Sequence, residues 1–199
     1  MPKIVDHAKQ KHLVAEAALR IIRRSGLEQA TVRNISKEAG LSVGSMRHYF
    51  STQAELFAFC MNLFVQRVQS RVEALPSEGP VVPNLKLVLM QFVPVDEDRI
   101  MEMEVWLSFN AKALIFPELK RLSEEMQAGL QQASQFVIDT LLQQQLAKPG
   151  LDVELEVEKL NALVDGLAIH QLMHPGRLDA GRNESIIEQH LYSLCKVEE

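Results

Sequence analysis

Apolar residues recur along this chain at three- and four-residue intervals, and nowhere for long at the two-residue interval of a strand. Residues 7–24 set Leu13, Ala17, Ala18, Ile21 and Ile22 on one face of a helix that Gly26 stops. Thr31 then stands where an N-cap belongs, ahead of a short helix with Val32, Ile35 and Ala39 on one side, ending at Gly40. Ser42 caps the next helix. Thr52 and Glu55 have capping-box spacing and open an amphipathic helix running to about Leu75. Four helices thus account for the first 75 residues.

The stretch Pro76 to Pro83, PSEGPVVP, predicts a break between regions. Further helices follow over Asn84 to Phe92, Glu97 to Ala113 and Pro117 to about Leu146, the last stopped by Lys148-Pro149-Gly150. Asp152 caps a helix lasting to about His174, Pro175-Gly176 ends it, and a final helix lies within about 182–196. The reading is an all-α protein of about nine helices. Residues 1–50 form an N-terminal helix-turn-helix domain and residues 51–199 a C-terminal helical domain, with 51–75 as the connecting helix.

Charge changes the picture. The formal net charge is −5, which spread evenly would repel DNA. Residues 1–50, however, hold nine Lys/Arg against four Asp/Glu, and residues 51–199 hold twelve against twenty-two. A basic head on an acidic body points to a DNA-facing module joined to one that is not. No apolar run is long enough to span a bilayer and the first residues lack a secretion signal, so the protein is expected in the cytoplasm with no membrane partner. Cys60 and Cys195 have no metal-type spacing and are expected as reduced thiols.

A helix-turn-helix needs close helix approach, a turn residue tolerant of positive φ and an apolar plug, which Ala39, Gly40 and Leu41 supply in turn. The run T-V-x-x-I-S-x-x-A-G-L-S-x-G-S-M-R-H-Y-F-S-T-Q-x-E-L-F, starting at Thr31, resembles the N-terminal signature of the tetracycline-repressor (TetR) family over about residues 10–60. The stretch Leu163-Val164-Asp165-Gly166-Leu167-Ala168 is similar to a branch of that family with choline-responsive members. The resemblance implies a homodimer with a DNA-binding head and a larger ligand-binding and dimerisation domain. Carried onto this sequence, it implies DNA contacts from Thr31, Arg33, Ser42, Val43, Ser45, Met46, Arg47, His48, Tyr49 and Gln53, with Tyr49 on a phosphate. Arg47 has the chemistry for a bidentate contact to guanine or a phosphate, and Val43 or Met46 for a thymine methyl. Two positions depart from the commoner pattern: Arg47 stands where tyrosine is usual, and Gln53 where a lysine usually grips phosphate.

Soft and aromatic residues concentrate in the middle of the chain. Met101, Trp106, Phe109, Phe116 and Met126 are candidates to line an effector site, against the alternative of ordinary core packing. Trp106, with Glu102 and Glu104 beside it, has the makings of a cation site. Leu163, Leu167, His170, Ile187 and Leu191 are candidates for a dimer interface built as a four-helix bundle. His170 and His174 share a helix face, but no further ligand completes a zinc site, so no metal is expected. Phosphate-cradling loops, dinucleotide fingerprints and nucleophile elbows are absent, and neither catalysis nor a cofactor is expected. The expected partners are a double-stranded DNA operator, a small-molecule effector of unknown identity and a second copy of the chain. The expected function is sequence-specific transcriptional regulation, most simply repression relieved by the effector. The alternative is an all-α ligand-binding or interaction protein that keeps this fold without binding DNA.

Overall fold

The computed structural model describes residues 7–115, 117–177 and 179–196. Among them the chain forms nine α-helices: α1 His7–Ser25, α2 Val32–Glu38, α3 Val43–Tyr49, α4 Gln53–Glu73, α5 Val81–Leu89, α6 Glu97–Ala113, α7 Pro117–Gln143, α8 Val153–Met173 and α9 Ala180–Leu194. Two 3₁₀ turns, Leu27–Gln29 and Met90–Phe92, complete the regular structure. There are two compact units. One holds the residues up to Gln66 together with Glu104–Glu124, and the other holds Arg67–Met103 together with the residues from Glu125 onward. Helices α4, α6 and α7 therefore each contribute residues to both.

Local chemistry explains where most helices begin. The hydroxyl of Thr31 accepts from the Asn34 amide at 3.3 Å, Ser42 from Ser45 at 3.0 Å, and the Asp152 carboxylate from Leu155 at 3.2 Å. Each occupies one otherwise orphaned N–H, worth about 1 kcal/mol. The Thr52 hydroxyl accepts from Glu55 N at 3.0 Å, while the Glu55 carboxylate accepts from Ser51 N at 2.8 Å, one residue earlier than a standard capping box places it. An unexpected cap is Asp179, which accepts from Arg182 N at 2.7 Å and starts α9 ahead of the predicted position.

Two boundaries differ from the sequence reading. The proline-rich stretch does not run on to Pro83 as a break, because α5 already begins at Val81 with Pro83 in its first turn. A first-turn residue has no intrahelical N–H partner to lose, so proline is tolerated there. Helix α7 stops at Gln143, before Lys148-Pro149-Gly150, on Gln145 with φ 57°. The amides of Gln145 and Leu146 close back on the carbonyls of Leu142 and Leu141, both at 2.9 Å, a Schellman arrangement made without glycine.

In the first unit the core gathers Ala15, Ala18, Leu19 and Ile22 of α1, Ile35 of α2, Met46 of α3, Leu56 and Phe57 of α4, and Val105 and Phe109 of α6. Phe57 and Phe109 meet edge to face, ring centroids 6.3 Å apart. The second unit has its own core, including Leu85 and Leu89 of α5, Val137, Ile138 and Leu141 of α7, Leu160, Val164 and Leu167 of α8, and Ile187, Leu191 and Leu194 of α9. The amide of Lys148 reaches Leu194 O at 2.9 Å and that of Lys196 reaches Leu146 O at 2.8 Å, tying the residues after α7 to the end of α9. No described helix is long and apolar enough to cross a membrane.

Candidate nucleic-acid interface

Helices α2 and α3 are joined by the expected tight turn. Gly40 takes φ 68°, a region that a side chain disfavours by about 1–2 kcal/mol. The amides of Gly40 and Leu41 bond back to Lys37 O at 3.2 Å and Ser36 O at 2.8 Å, so the turn closes α2 as it aims α3. Helix α2 is also pinned to α1, since Glu38 accepts from Arg20 at 3.1 Å and Arg24 at 3.2 Å. These two guanidinium groups hold the Glu38 carboxyl below its ordinary range.

On α3 the side chains sort by direction. Val43, Gly44, Arg47 and His48 are exposed, Ser45 and Tyr49 are partly covered, and Met46 is 1% exposed. The exposed positions 43, 44, 47 and 48 form one helical face. Met46 points the opposite way into the core, so the expectation that it touches a thymine methyl is corrected: its thioether anchors α3. Ser42 is spent locally, accepting from Ser45 N and donating to Ser45 Oγ at 2.9 Å. Thr31 caps α2 while remaining exposed, and Arg33 projects to solvent from the same helix. The Tyr49 ring lies 5.6 Å from that of His7 at the start of α1.

Gln53 does more than stand in for a lysine. Its side-chain amide donates to Ala30 O at 2.7 Å, immediately before the α2 cap, and so ties the first residue of α4 to the helix-turn-helix. Gly44 lies on the same exposed face of α3. A Cβ there would meet only Ser42 Oγ at 3.8 Å, so the fold itself does not demand glycine, and the missing side chain leaves room for a close-approaching surface.

The other predicted sites are rearranged. Phe109 is fully buried in the core of the first unit, packed on Phe57. Trp106 falls in the same unit and Met101 in the other, both half-buried. Phe116 and the side chain of Met126 lie outside the described residues. The acids beside Trp106 already face arginines: Glu102 meets Arg71 at 2.8 Å and Glu104 meets Arg23 at 3.8 Å, so neither offers an unopposed negative charge to a cation.

Among the proposed dimer residues, Leu167, Ile187 and Leu191 are buried within their own unit, and Leu163 packs against that core. Leu167, Ile187 and Leu191 are thus already covered within one chain, while Leu163 keeps part of its surface. Only His170 of that set is exposed. The apolar side of α8 left uncovered carries Leu155, Ile169 and Met173, and Gly166 has nothing within 4 Å of where a Cβ would sit. The sequence marks Ile169 to Met173 as part of a wide apolar face of this helix but does not separate it from the buried side, because α8 is apolar on nearly every side.

Comparison with known proteins settles the family. Residues 14–59 match the profile described as bacterial regulatory proteins, tetR family, and residues 83–196 match that of the BetI-type transcriptional repressor, C-terminal. This chain belongs to the TetR family. It is 41% identical over 197 residues to the HTH-type transcriptional regulator PksA of Bacillus subtilis, covering 98% of this chain and 94% of that one. It is 26% identical to the HTH-type transcriptional regulator BetI of Vibrio parahaemolyticus, with 96% and 94% covered. A crystal structure of a transcriptional regulator from Rhodococcus superimposes with a TM-score of 0.78 at 27% identity, covering 92% and 95%. A putative regulator from Saccharomonospora viridis, crystallised in complex with choline, has a TM-score of 0.76 at 20% identity, covering 94% and 95%, and shares the fold. This TetR-family member is accordingly a DNA-binding transcriptional regulator, with a helix-turn-helix head and a helical C-terminal domain.

Proposed function

We propose that this regulator binds an operator as a homodimer, represses transcription there and is released by a small-molecule effector. Residues 1–50 read the DNA and residues 51–199 carry dimerisation and effector binding. The observation that supports DNA reading best is the division of α3 into a core anchor, Met46, and an exposed face of Val43, Gly44, Arg47 and His48. A rooted helix presents these side chains without a large ordering cost on binding.

On this reading Arg47 and His48 contact base edges or phosphates and Val43 meets a thymine methyl. Arg33, Thr31, Ser45 and Tyr49 lie at the flanks, and Gln53 holds α2 in place while exposing its helix N-terminus toward phosphate. The dimer face is the uncovered side of α8, around Leu155, Gly166, Ile169 and Met173. Met101 and Trp106 remain the candidate effector contacts. The protein works by binding and release in the cytoplasm, without turnover, metal or cofactor.

Gel-shift titration tests the reading with a duplex selected from a random-sequence pool by the wild-type protein. Specific retardation that weakens steeply with salt is expected, because phosphate neutralisation releases counterions. No enrichment of any sequence, or retardation independent of salt, would sink it.

A further inference from the structure

We propose that the first turns of α1 form a second DNA contact beside α3, in which Lys11 grips a backbone phosphate at the edge of the bases that α3 reads. The proposal rests on the reading of the chain as a DNA-binding regulator and adds a residue from outside the helix-turn-helix to its interface. Along α1 the positions Ile22, Ala18 and Ala15 make one face and are buried. Carried on toward the start of the helix, the same face reaches Lys11 and then His7. An apolar stripe thus gives way to ionisable side chains where α1 passes the end of α3.

Aromatic rings fix that position. Lys11 Nζ stands 5.4 Å from the ring centroid of Phe50, the residue that closes α3, and 6.0 Å from that of Phe59 on α4. Those two rings meet edge to face at 5.4 Å, and Phe50 is only 3% exposed. One turn earlier on α1, the His7 ring lies 5.6 Å from that of Tyr49, the last residue of α3. All of these residues belong to the first unit. A ring face attracts the ammonium as a charge and offers no oxygen to its N–H donors. Among the described residues Lys11 meets rings and no acid.

The later cations of α1 are spent differently. Arg20 and Arg24 face Glu38, and Arg23 faces Glu104. Before Glu16, by contrast, α1 carries His7, Lys9, Lys11 and His12 and no acid. In a chain of net charge −5, a cation held against the end of the recognition helix and left without a carboxylate suits a phosphate. Its stem already lies along the rings, so it has little rotamer freedom left to lose when DNA arrives. A phosphate carries no sequence information, so this contact strengthens binding to any duplex and fixes how the head sits on it.

Two variants test the contact. Lys11→Met keeps a stem over the rings and removes the charge, and Lys11→Arg keeps the charge. Each is titrated beside the wild type against the selected duplex and a random duplex of equal length, over a range of salt. Lys11→Met is expected to raise the dissociation constant about tenfold on both duplexes and to lower the slope of log affinity against log salt by about 0.9 for each head engaged, while Lys11→Arg stays within about twofold. A Lys11→Met chain with the wild-type slope overturns the proposal whatever its affinity, because a residue that only packs α1 against α3 changes stability but not the number of phosphates met. Equal losses in Lys11→Arg and Lys11→Met overturn it too, since charge would then not be what binds. If Lys11→Met does not fold, acetylation of the wild type decides, read by mass spectrometry with and without the selected duplex. DNA must shield Lys11 from the reagent, and equal labelling overturns the contact. A wild-type chain that selects no duplex defeats the DNA-binding reading itself, which keeps the two failures distinct.

Discussion

Arg47 and Asp165 are two charged side chains whose roles follow from what surrounds them. Arg47 is exposed on α3, one turn from Val43, and is presented by a helix held through Met46. If it reads a base, Arg47→Ala lowers affinity for the selected duplex by a factor corresponding to about 1–3 kcal/mol, with a smaller loss on random DNA. Equal losses on both, measured by fluorescence anisotropy, would assign it to phosphate. Asp165 is partly buried in α8, and burial pushes its carboxyl above the ordinary aspartate range. The folded protein then holds the proton more tightly than the unfolded chain, so stability is lost as pH rises from the ordinary range through the raised value. Asp165→Asn is expected to raise the melting temperature at pH 7, the gain fading as pH falls toward about 4. A gain independent of pH would contradict the assignment.

At the scale of elements, boundaries were readable wherever a side chain makes the boundary and less so where the backbone does. Thr31, Ser42 and Asp152 cap the helices they were expected to cap, because a cap is a local hydrogen bond between residues three apart. Ser42→Ala should cost about 1 kcal/mol in the denaturant unfolding of the chain and weaken DNA binding by loosening α3. The end of α7 was misplaced because Gln145 does what glycine usually does. Its left-handed backbone costs about 1 kcal/mol, and the hydrogen bonds it enables with Leu141 and Leu142 offset that cost. Gln145→Gly is expected to stabilise the protein by about 0.5–1 kcal/mol. A loss of stability in chemical denaturation would mean that the glutamine side chain contributes something beyond the turn.

For the whole molecule, the deciding feature is which apolar residues are spent inside one chain and which are left over. Leu191 is spent, and Leu191→Ala should destabilise the fold by roughly 2–5 kcal/mol. Ile169 and Met173 are left over at 36% and 59% exposure. Ile169→Glu/Met173→Glu should therefore leave the helical content intact while converting a dimer to monomer in analytical ultracentrifugation. It should also abolish tight binding to a duplex carrying two half-sites, because a monomer can engage only one. A variant that stays dimeric would place the interface elsewhere.

The sequence by itself determined the all-α class, the helix-turn-helix, most of the caps and the uneven distribution of charge. Each depends on residues a few positions apart or on simple composition, and the turn at Gly40 and the run from Thr31 to Phe57 are of that kind. The tertiary structure alone decided that Met46 faces inward, that Glu102 is claimed by Arg71 and that Leu167, Ile187 and Leu191 are core. Those outcomes depend on which side of an element its neighbours cover. Helix α8 shows the reason most plainly: it is apolar around most of its circumference, so periodicity identifies a helix but not its inner face. Only packing against α7 and α9 in the second core selects Leu160, Val164 and Leu167 for the inside and leaves Ile169 and Met173 at the surface.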